Sequence, residues 1–408
     1  MRRKGAQQRA REHNIKDVKA RQRFLDAPSR SATQIPIFFY TMSERSNSIV
    51  MSSDSDLTPE QYLKEMYQKW HLQVLSDFED EMPKYWGRKW KANTTIGKLR
   101  TVLLHRPGLE FLSVGNKTPW PPHGDSLAAW RMTFKPDLDE LVEHHENMAK
   151  AYRDEGVEVL IRKPDPFDPP YQVKAIYTDD VCHAAVYGSI ILRMYDYIRK
   201  GEEVPTYQTL AEAGCPVVGM ITGNGMAEGG PIGWLDEKHL VIAVHYPRAN
   251  TYDPGVMRAN EWGHEQYARI VKAQDPEVDI RLCPGYGSRL DVSHYKMIDR
   301  HTSVQDPEKM DPNLVAWMRA EMDWNFIVAP DEVSSYTAQG EKVGPGTGVV
   351  LEPMKVLVPT GRPKATKWLE SIGVEVVEVE CSSLVRPRNS GSIHCCAGSI
   401  VRDPEPAD

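Results

Sequence analysis

Several features that would assign this 408-residue chain to a familiar class are scarce or missing. Its six cysteines show no repeated Cys-x-x-Cys spacing and follow no secretory signal, so neither a zinc cage nor a disulfide framework is implied. No apolar run approaches the roughly 20 residues that a membrane-spanning helix needs. These absences predict reduced thiols and a cytoplasmic protein that makes no contact with a membrane.

The chain also lacks a surplus of positive charge and the glycine patterns of nucleotide sites. Its formal net charge is −7, which argues against a nucleic-acid partner. No Gly-x-Gly-x-x-Gly or P-loop pattern opens any predicted helix, so nucleotide binding has no support. We therefore expect a small molecule as the partner, while the sequence leaves open whether the chain forms a homo-oligomer.

Residues 1–58 differ in composition from the rest because a basic start is followed by a serine-rich stretch. We predict a disordered extension here. Two alternatives stay open: a mitochondrial transit peptide, which the interspersed acidic residues argue against, and sequence upstream of a true start at Met42 or Met51. Thr58 and Pro59 predict the start of a helix, and residues 59–408 are expected to form a single domain.

Beyond this point short apolar strands alternate with amphipathic helices, which predicts an α/β protein. The strands are short and often end in polar residues, so a repeated β/α propeller fits better than one wide Rossmann sheet. The predicted helices lie near 138–155, 262–273, 312–322 and 363–372. The predicted strands are 99–104, 157–161, 185–192, 239–245, 279–283, 325–329, 356–359 and 374–379.

Cys395 is the strongest candidate for a reactive group. Small residues, Ser390-Gly391-Ser392, precede it and would let backbone amides approach a reacting centre, and His394 is its neighbour. A buried structural cysteine explains a lone thiol equally well. Cys396 is a second candidate for the nucleophile.

A nucleophilic thiol needs a partner for proton transfer, normally a histidine. The alternation over residues 289–299 predicts a strand on which His294 and Lys296 share one face. Asp180 leads into another strand, and Glu228 stands before two glycines. Carboxylates bind guanidinium groups in a planar, bidentate way, so these acids, the histidine and the cysteine together could form a site for a cationic substrate.

Nine segments, taken in order, resemble the guanidino-modifying superfamily of arginine deiminases, dimethylarginine hydrolases, agmatine deiminases and amidinotransferases. The resemblance covers about residues 95–403. The segments are Ile96–Gly108, Glu143–His145, Glu155–Leu160, Tyr177–Asp180, Arg193–Glu202, Ala227–Gly230, Pro247–Asn250, Ser392–Cys395 and Arg402–Asp403.

This resemblance implies a five-bladed α/β propeller of ββαβ repeats with the site in its central channel. It also implies that Cys395 attacks a guanidinium carbon to give a covalent amidino-thioether, while His294 first protonates the leaving nitrogen and then activates water. Asp180 and Glu228 would hold the guanidinium. Arg199 and Arg248 would bind a carboxylate at the outer end of the substrate.

The chain departs from the family pattern at four places. The family's glycine run before the cysteine is altered to Asn389-Ser390-Gly391-Ser392. Asp179 stands where arginine is common, and Pro231 replaces the usual aspartate. The segment His294-Tyr295-Lys296 resembles the His-x-Lys of dimethylarginine hydrolases. In an alternative register Arg289-Leu290-Asp291 takes the place of a His-x-Asp motif; Asp291 would then bind the guanidinium and the base would be unidentified.

The leading hypothesis is a hydrolase that acts on a carbon–nitrogen bond of a linear amidine, with arginine or a relative as substrate, releasing ammonia or an amine. One alternative is an amidinotransferase, in which an amine acceptor replaces water. Another is a binding protein that has kept the fold and lost catalysis. The chemistry implied by the resemblance requires no metal and no cofactor.

Overall fold

The computed structural model describes residues 58–406 except for 75–76, 121–122, 245–257, 285–295, 337–341, 346 and 387. The described residues fall into two compact units that meet in sequence between Lys89 and Trp90. The predicted extension over 1–58 lies almost wholly outside the described residues.

The part of the smaller unit that the structure describes contains two helices, Pro59–Val74 and Phe78–Tyr85. Thr58 begins the first as predicted: its Oγ1 accepts from the backbone N–H of Gln61, and the Gln61 side chain accepts from the N–H of Thr58. This reciprocal pair satisfies two backbone donors that a helix start leaves without partners.

The larger unit contains five three-stranded sheets among its described residues, and in each the middle strand has one antiparallel and one parallel neighbour. The second sheet is typical. Cys182–Ala184 and Ser189–Ile191 form an antiparallel hairpin, and the helix Glu203–Glu212 then leads to Val217–Met220, which pairs in parallel with the middle strand. This sheet is therefore a ββαβ unit.

Three further sheets repeat this order of hairpin, helix and parallel strand. The third sheet consists of Ile232–Trp234, His239–Val244, helix Glu261–Gln274 and Asp279–Pro284. The fourth sheet consists of Met297–Asp299, Thr302–Ser303, helix Pro312–Met322 and Asn325–Phe326. The fifth sheet consists of Val349–Glu352, Lys355–Pro359, helix Pro363–Ser371 and Glu375–Val379. A two-stranded sheet, Ser335–Tyr336 with Lys342–Val343, lies between the last two in sequence.

The first sheet joins strands from distant parts of the chain. Leu99–Leu104 is its middle strand, and the helix Leu138–Asp154 leads to the parallel strand Glu158–Ile161. Its antiparallel partner is Gly398–Arg402. The strand that follows the candidate nucleophile thus completes a sheet begun at Leu99.

The helix Leu138–Asp154 illustrates how the sequence forms these layers. Asp137 caps its first turn by accepting from the N–H of Glu140 over 3.2 Å. Leu141, Met148 and Tyr152 recur at helical spacing and are fully or almost fully buried in a core that also contains Val102 of the first sheet. Apolar periodicity therefore fixes which face of the helix covers the sheet.

The predicted α/β class is confirmed, and most predicted elements agree with the structure to within a few residues. The strand predicted over 185–192 is shorter in the structure: residues 185–188, with Gly188 at φ +74°, form the connection of the second sheet's hairpin, and only its second arm, Ser189–Ile191, lies in the predicted range. The strand predicted over 289–299 begins at Met297 within the described residues, and Lys296 has a left-handed φ of +48°. Helix Glu203–Glu212 was not predicted.

Short 3-10 turns connect several strands: Leu109–Ser113, Thr178–Asp180, Tyr197–Arg199, Pro307–Lys309 and Asp331–Val333. Two of them, Thr178–Asp180 and Tyr197–Arg199, hold residues of the site described below. Within the described part of the chain, every helix is too short or too polar to cross a membrane.

Candidate functional site

Thr178 connects the turn that contains Asp180 to the turn that contains the candidate cysteine. Its buried hydroxyl donates toward the carbonyl oxygens of Leu103, at 2.6 Å, and Cys396, at 3.0 Å, and it accepts from the N–H of Gly398 over 3.0 Å. The N–H of Asp179 also donates to the carbonyl of Cys395 over 3.1 Å. These bonds place the Thr178–Asp180 turn directly against residues 395–398.

Cys395 and Cys396 differ in their surroundings. Cys395 is 6% exposed, and its Sγ lies 3.3 Å from the hydroxyl oxygen of Ser392. Cys396 is fully buried, and burial raises the pKa of its thiol well above the ordinary value. Because the thiolate is the nucleophilic form, these surroundings favour Cys395 over Cys396 as a reactive group.

Two glycines allow the backbone to pack closely around this centre. A Cβ at Gly229 would lie 1.9 Å from the carbonyl oxygen of Asp179, and the N–H of Gly229 donates to the carbonyl of Asp180. A Cβ at Gly391 would lie 2.3 Å from the Tyr177 ring. The glycines of the Glu-Gly-Gly and Ser-Gly-Ser segments are therefore required for close approach.

Two buried carboxylates hold one guanidinium between them. Nη2 of Arg258 donates to Oδ1 of Asp180, and Nε of Arg258 donates to Oε2 of Glu228 over 2.8 Å. The backbone N–H of Gly230 also donates to Asp180, over 3.2 Å, and that of Tyr195 donates to Glu228, over 3.2 Å. The two acids are thus fixed in orientation and spaced to bind a guanidinium group.

The electrostatic balance at Glu228 depends on these neighbours. Burial raises the pKa of Glu228, Arg258 opposes the shift, and the nearby carboxylate of Asp180 adds to it. A cation between the two acids therefore stabilises the ionised form of both.

Arg199 is buried behind Asp180 and is held by several groups. Its Nη1 donates to Oδ2 of Asp180 over 2.6 Å, and its Nε and Nη2 each donate to Glu202 over 2.9 Å. Nη2 also donates to the carbonyl of Tyr177 over 3.0 Å. These contacts direct the guanidinium of Arg199 toward the protein interior, where it positions Asp180.

His394 lies beside Cys395 in sequence, and its Nδ1 is 3.5 Å from Oδ2 of Asp179. The resemblance places Asp179 where arginine is common, and in the structure this aspartate faces an imidazole.

The structure brings together Cys395, Asp180, Glu228 and Arg199. His294, Arg248 and Asp291 lie outside the described residues, so their roles stay predictions.

Arg258 was not anticipated. The triplet Arg-Ala-Asn occurs twice, and sequence reasoning chose the copy at Arg248. The second copy carries one local signal, because its Asn260 caps the helix Glu261–Gln274 by accepting from the N–H of Gly263, but this signal marks a helix start and not a site residue.

A cavity of about 950 Å³ lies near the carboxylate pair, although neither Asp180 nor Glu228 is among its described lining residues. Its wall includes Tyr195, whose N–H contacts Glu228, and Met226, two residues before Glu228. Four aromatic side chains and four charged ones line it: Trp120, Tyr195, Tyr197, Trp262, Arg131, Arg193, Lys200 and Asp196. Among the residues described, no group of three or more histidine, cysteine or acidic side chains could hold a metal ion.

No family model matches the chain. Curated relatives match over a short stretch: an arginine deiminase of Streptococcus equi subsp. zooepidemicus is 45% identical over 65 residues, which is 16% of this chain and 14% of the relative. An arginine deiminase of Oenococcus oeni is 35% identical over 91 residues, covering 22% and 20%. The chain thus spans about a seventh to a fifth of the length of these relatives.

Solved structures resemble the chain over most of its length. A dimethylarginine dimethylaminohydrolase from Pseudomonas aeruginosa, complexed with citrulline, is 18% identical, has a TM-score of 0.50 and covers 74% of this chain and 99% of its own. A saxitoxin-pathway amidinotransferase from Microseira wollei is 16% identical, with a TM-score of 0.54 and coverage of 77% and 97%. A cyanobacterial arginine dihydrolase domain is 14% identical, with a TM-score of 0.52 and coverage of 76% and 100%. The chain therefore has the fold of the guanidino-modifying superfamily that its motifs resemble.

Proposed function

We propose that the chain hydrolyses a guanidino compound through a covalent intermediate on Cys395. The observation that carries this proposal is the guanidinium of Arg258 between the buried acids Asp180 and Glu228. The pair is already spaced to bind such a group, and the turn of Asp180 is hydrogen-bonded to the turn of Cys395. A substrate guanidinium takes the place of the Arg258 side chain between the two acids.

The first half of the reaction transfers the amidino carbon to sulfur. The Cys395 thiolate attacks the guanidinium carbon and forms a C–S bond, while one C–N bond of the resulting tetrahedral adduct breaks. The leaving nitrogen takes up a proton and departs as ammonia or an amine. Asp180 and Glu228 keep the guanidinium protonated, and therefore electrophilic, and fix its plane for attack.

The second half consumes water. Water loses a proton and attacks the amidino-thioether carbon, and the C–S bond then breaks to release a ureido product and restore the thiolate. One residue that first donates and later accepts a proton suffices for both halves, and imidazole titrates in the appropriate range. We assign this role to His294, as the resemblance implies.

For Arg199 we propose a positioning role in place of the carboxylate binding that the resemblance implies. Its donors are directed at Asp180, Glu202 and the carbonyl of Tyr177. A buried arginine with these partners keeps Asp180 ionised and correctly oriented. Arg248 and Asp291 stay candidates for contact with the substrate.

An amidinotransferase would need room for an amine acceptor, and the 950 Å³ cavity offers that room. Its lining, however, has three cationic side chains and one carboxylate, so a protonated amine would be repelled. This charge balance favours hydrolysis over transfer.

We further infer that the five sheets form the blades of a five-bladed propeller. Support comes from the ββαβ order of four of the sheets and from the pairing of Gly398–Arg402 with Leu99–Leu104, which gives the first sheet the same strand pairing.

The proposed function is tested by incubating the protein with arginine, methylated arginines, agmatine and guanidino acids and measuring ammonia, amine and ureido product by mass spectrometry. Wild type should release product from at least one compound, and rapid quenching should trap an amidino adduct on Cys395. The Cys396→Ala variant should keep activity and serves as the control. Full turnover by the Cys395→Ala variant would rule out the covalent mechanism.

A further inference from the structure

The cavity beside the carboxylate pair has an unbalanced charge. Arg131 lies 3.3 Å from Asp196, which neutralises it. Arg193 donates to the carbonyl of Gly225 over 3.3 Å, and Lys200 donates to the carbonyl of Met194 and contacts the sulfur of Met226. The two carbonyl oxygens and the sulfur that these side chains contact carry no formal charge.

Arg193 and Lys200 therefore form a partly buried pair of like charges. Burial lowers the pKa of Lys200 and repulsion from Arg193 lowers it further, while the carboxylates of Glu203, Glu228 and Asp196 act in the opposite direction. An anion bound between the two side chains would relieve this repulsion, because each cation would gain an opposite charge at short range. The polar part of the cavity is thus suited to a carboxylate.

The same charge balance disfavours a substrate with a free amine in this cavity. A free α-amino acid carries an ammonium group next to its carboxylate, and that ammonium would face Arg193 and Lys200. Acylation of the amine removes its charge. The aromatic side chains of Trp120, Tyr197 and Trp262 then offer a surface against which an acyl group can pack.

The size of the cavity agrees with a larger ligand. Its volume of about 950 Å³ lies near the upper end of the range for small-molecule pockets, which hold ligands considerably larger than one amino acid. Its inner wall includes Tyr195 and Met226, both close to Glu228 in space or sequence. A ligand whose guanidinium lies between the acids can therefore extend into the cavity.

We propose that the substrate is an Nα-acylated guanidino acid, such as an arginine whose amine is joined to an aromatic acyl group. Its carboxylate binds between Arg193 and Lys200, its acyl group packs on the aromatic wall, and its guanidinium lies between Asp180 and Glu228. This inference rests on the proposed function for the reactive end and deepens it by naming the substrate class.

The test measures binding separately from turnover. Calorimetric titration of the Cys395→Ala variant with Nα-benzoylarginine should give a dissociation constant at least ten times lower than titration with arginine. The carboxamide of Nα-benzoylarginine, which lacks the carboxylate, is the matched control ligand and should bind at least ten times more weakly than the acid. Arg193→Gln and Lys200→Gln, each combined with Cys395→Ala, should abolish most of that difference.

Turnover by the intact protein completes the test. Nα-benzoylarginine should have a higher kcat/KM than arginine, and Arg193→Gln should raise its KM while changing kcat little. Equal binding of the acid, its carboxamide and free arginine would overturn the inference, even if all three were hydrolysed. Selective binding of the acid without turnover would leave the inference standing and overturn the proposed hydrolase.

Discussion

Arg258 donates to Glu228 through Nε over 2.8 Å, so an internal guanidinium occupies the acid pair to which we assign the substrate. A substrate must displace this side chain before it can react. Arg258 therefore marks the geometry of guanidinium binding and competes with the ligand at the same position.

Removing the Arg258 side chain should leave Asp180 and Glu228 as buried acids without their shared cation. Breaking such a buried ion pair costs about 3–5 kcal/mol of unfolding free energy. We expect the Arg258→Gly variant to have a lower Tm that low millimolar guanidinium raises by filling the vacated space. Thermal unfolding with and without guanidinium measures this.

Arg106→Ala is the matched control, because Arg106 pairs with Glu146 at the exposed surface, where both side chains are about half exposed. Its Tm should change little, as is usual for surface ion pairs, and should not rise with guanidinium. An Arg258→Gly variant that responds to guanidinium no better than Arg106→Ala would contradict the assignment of a guanidinium site.

The two neighbouring cysteines should differ in reactivity. A haloacetamidine, which resembles the guanidinium group, should alkylate Cys395 and leave Cys396 unmodified, because burial raises the pKa of the Cys396 thiol. Intact-mass analysis should show one adduct on wild type and on Cys396→Ala, and none on Cys395→Ala. An adduct on Cys395→Ala would place the reactive thiol elsewhere.

Thr178 should be important for stability as well as for the site. Thr178→Val keeps the shape of the side chain but removes the hydroxyl that contacts Leu103, Cys396 and Gly398. Unsatisfied buried polar groups cost about 1–3 kcal/mol each, so urea denaturation should show a loss of at least this size. Thr133→Val is the control, since its hydroxyl contacts the carbonyl of Arg388 at an exposed position; equal losses in the two variants would contradict the prediction.

The pH dependence of stability should contain a contribution from Asp236 and His239. Burial alone would raise the pKa of Asp236, but hydrogen bonds from His239 and His301 lower it well below the ordinary range. The hydrogen bond to Asp236 raises the pKa of His239 above its ordinary 6.5, against the effect of burial. The Asp236 contribution is lost as pH falls below the carboxyl's ordinary range, and the His239 contribution is lost as pH rises through its raised pKa.

Both contributions are therefore present together between about pH 4 and pH 6.5. We expect the difference in unfolding free energy between wild type and His239→Gln to be largest in this window and to become smaller as the pH rises above it. Urea denaturation at a series of pH values measures the difference from wild type. A difference that grows from pH 6 to pH 9 would have the wrong sign and would contradict the assigned coupling.

Long elements with clear periodicity were predictable from the sequence, and short ones were not. The helix Pro312–Met322 and the strand Leu99–Leu104 agree with their predicted bounds. Some arms of the hairpins contain only two or three residues, as in Cys182–Ala184. A strand of this length is too short to show an alternation of apolar and polar residues. Their pairing is fixed by contacts between neighbouring strands, which a local pattern does not contain.

The same limit applied to the site. Single acids and the cysteine could be selected because their local context and order along the chain resemble those of a known superfamily. Arg258 could not be chosen over Arg248 from the repeated Arg-Ala-Asn triplet alone, because its role depends on two acids that are 78 and 30 residues away in the sequence. Spatial proximity of this kind comes from the folded sheets.

The pairing of Leu103 with Gly398 has a consequence for the order of events in folding. These residues are separated by roughly 300 positions, and closing so long a loop carries a large entropic cost that slows formation of the contact. The turn of Cys395 precedes the strand that makes this pairing, and the Thr178 hydroxyl is hydrogen-bonded both to this turn, at Cys396, and to the start of the strand, at Gly398. Reactivity of the thiol and closure of the first sheet should therefore appear together, as one late step of refolding.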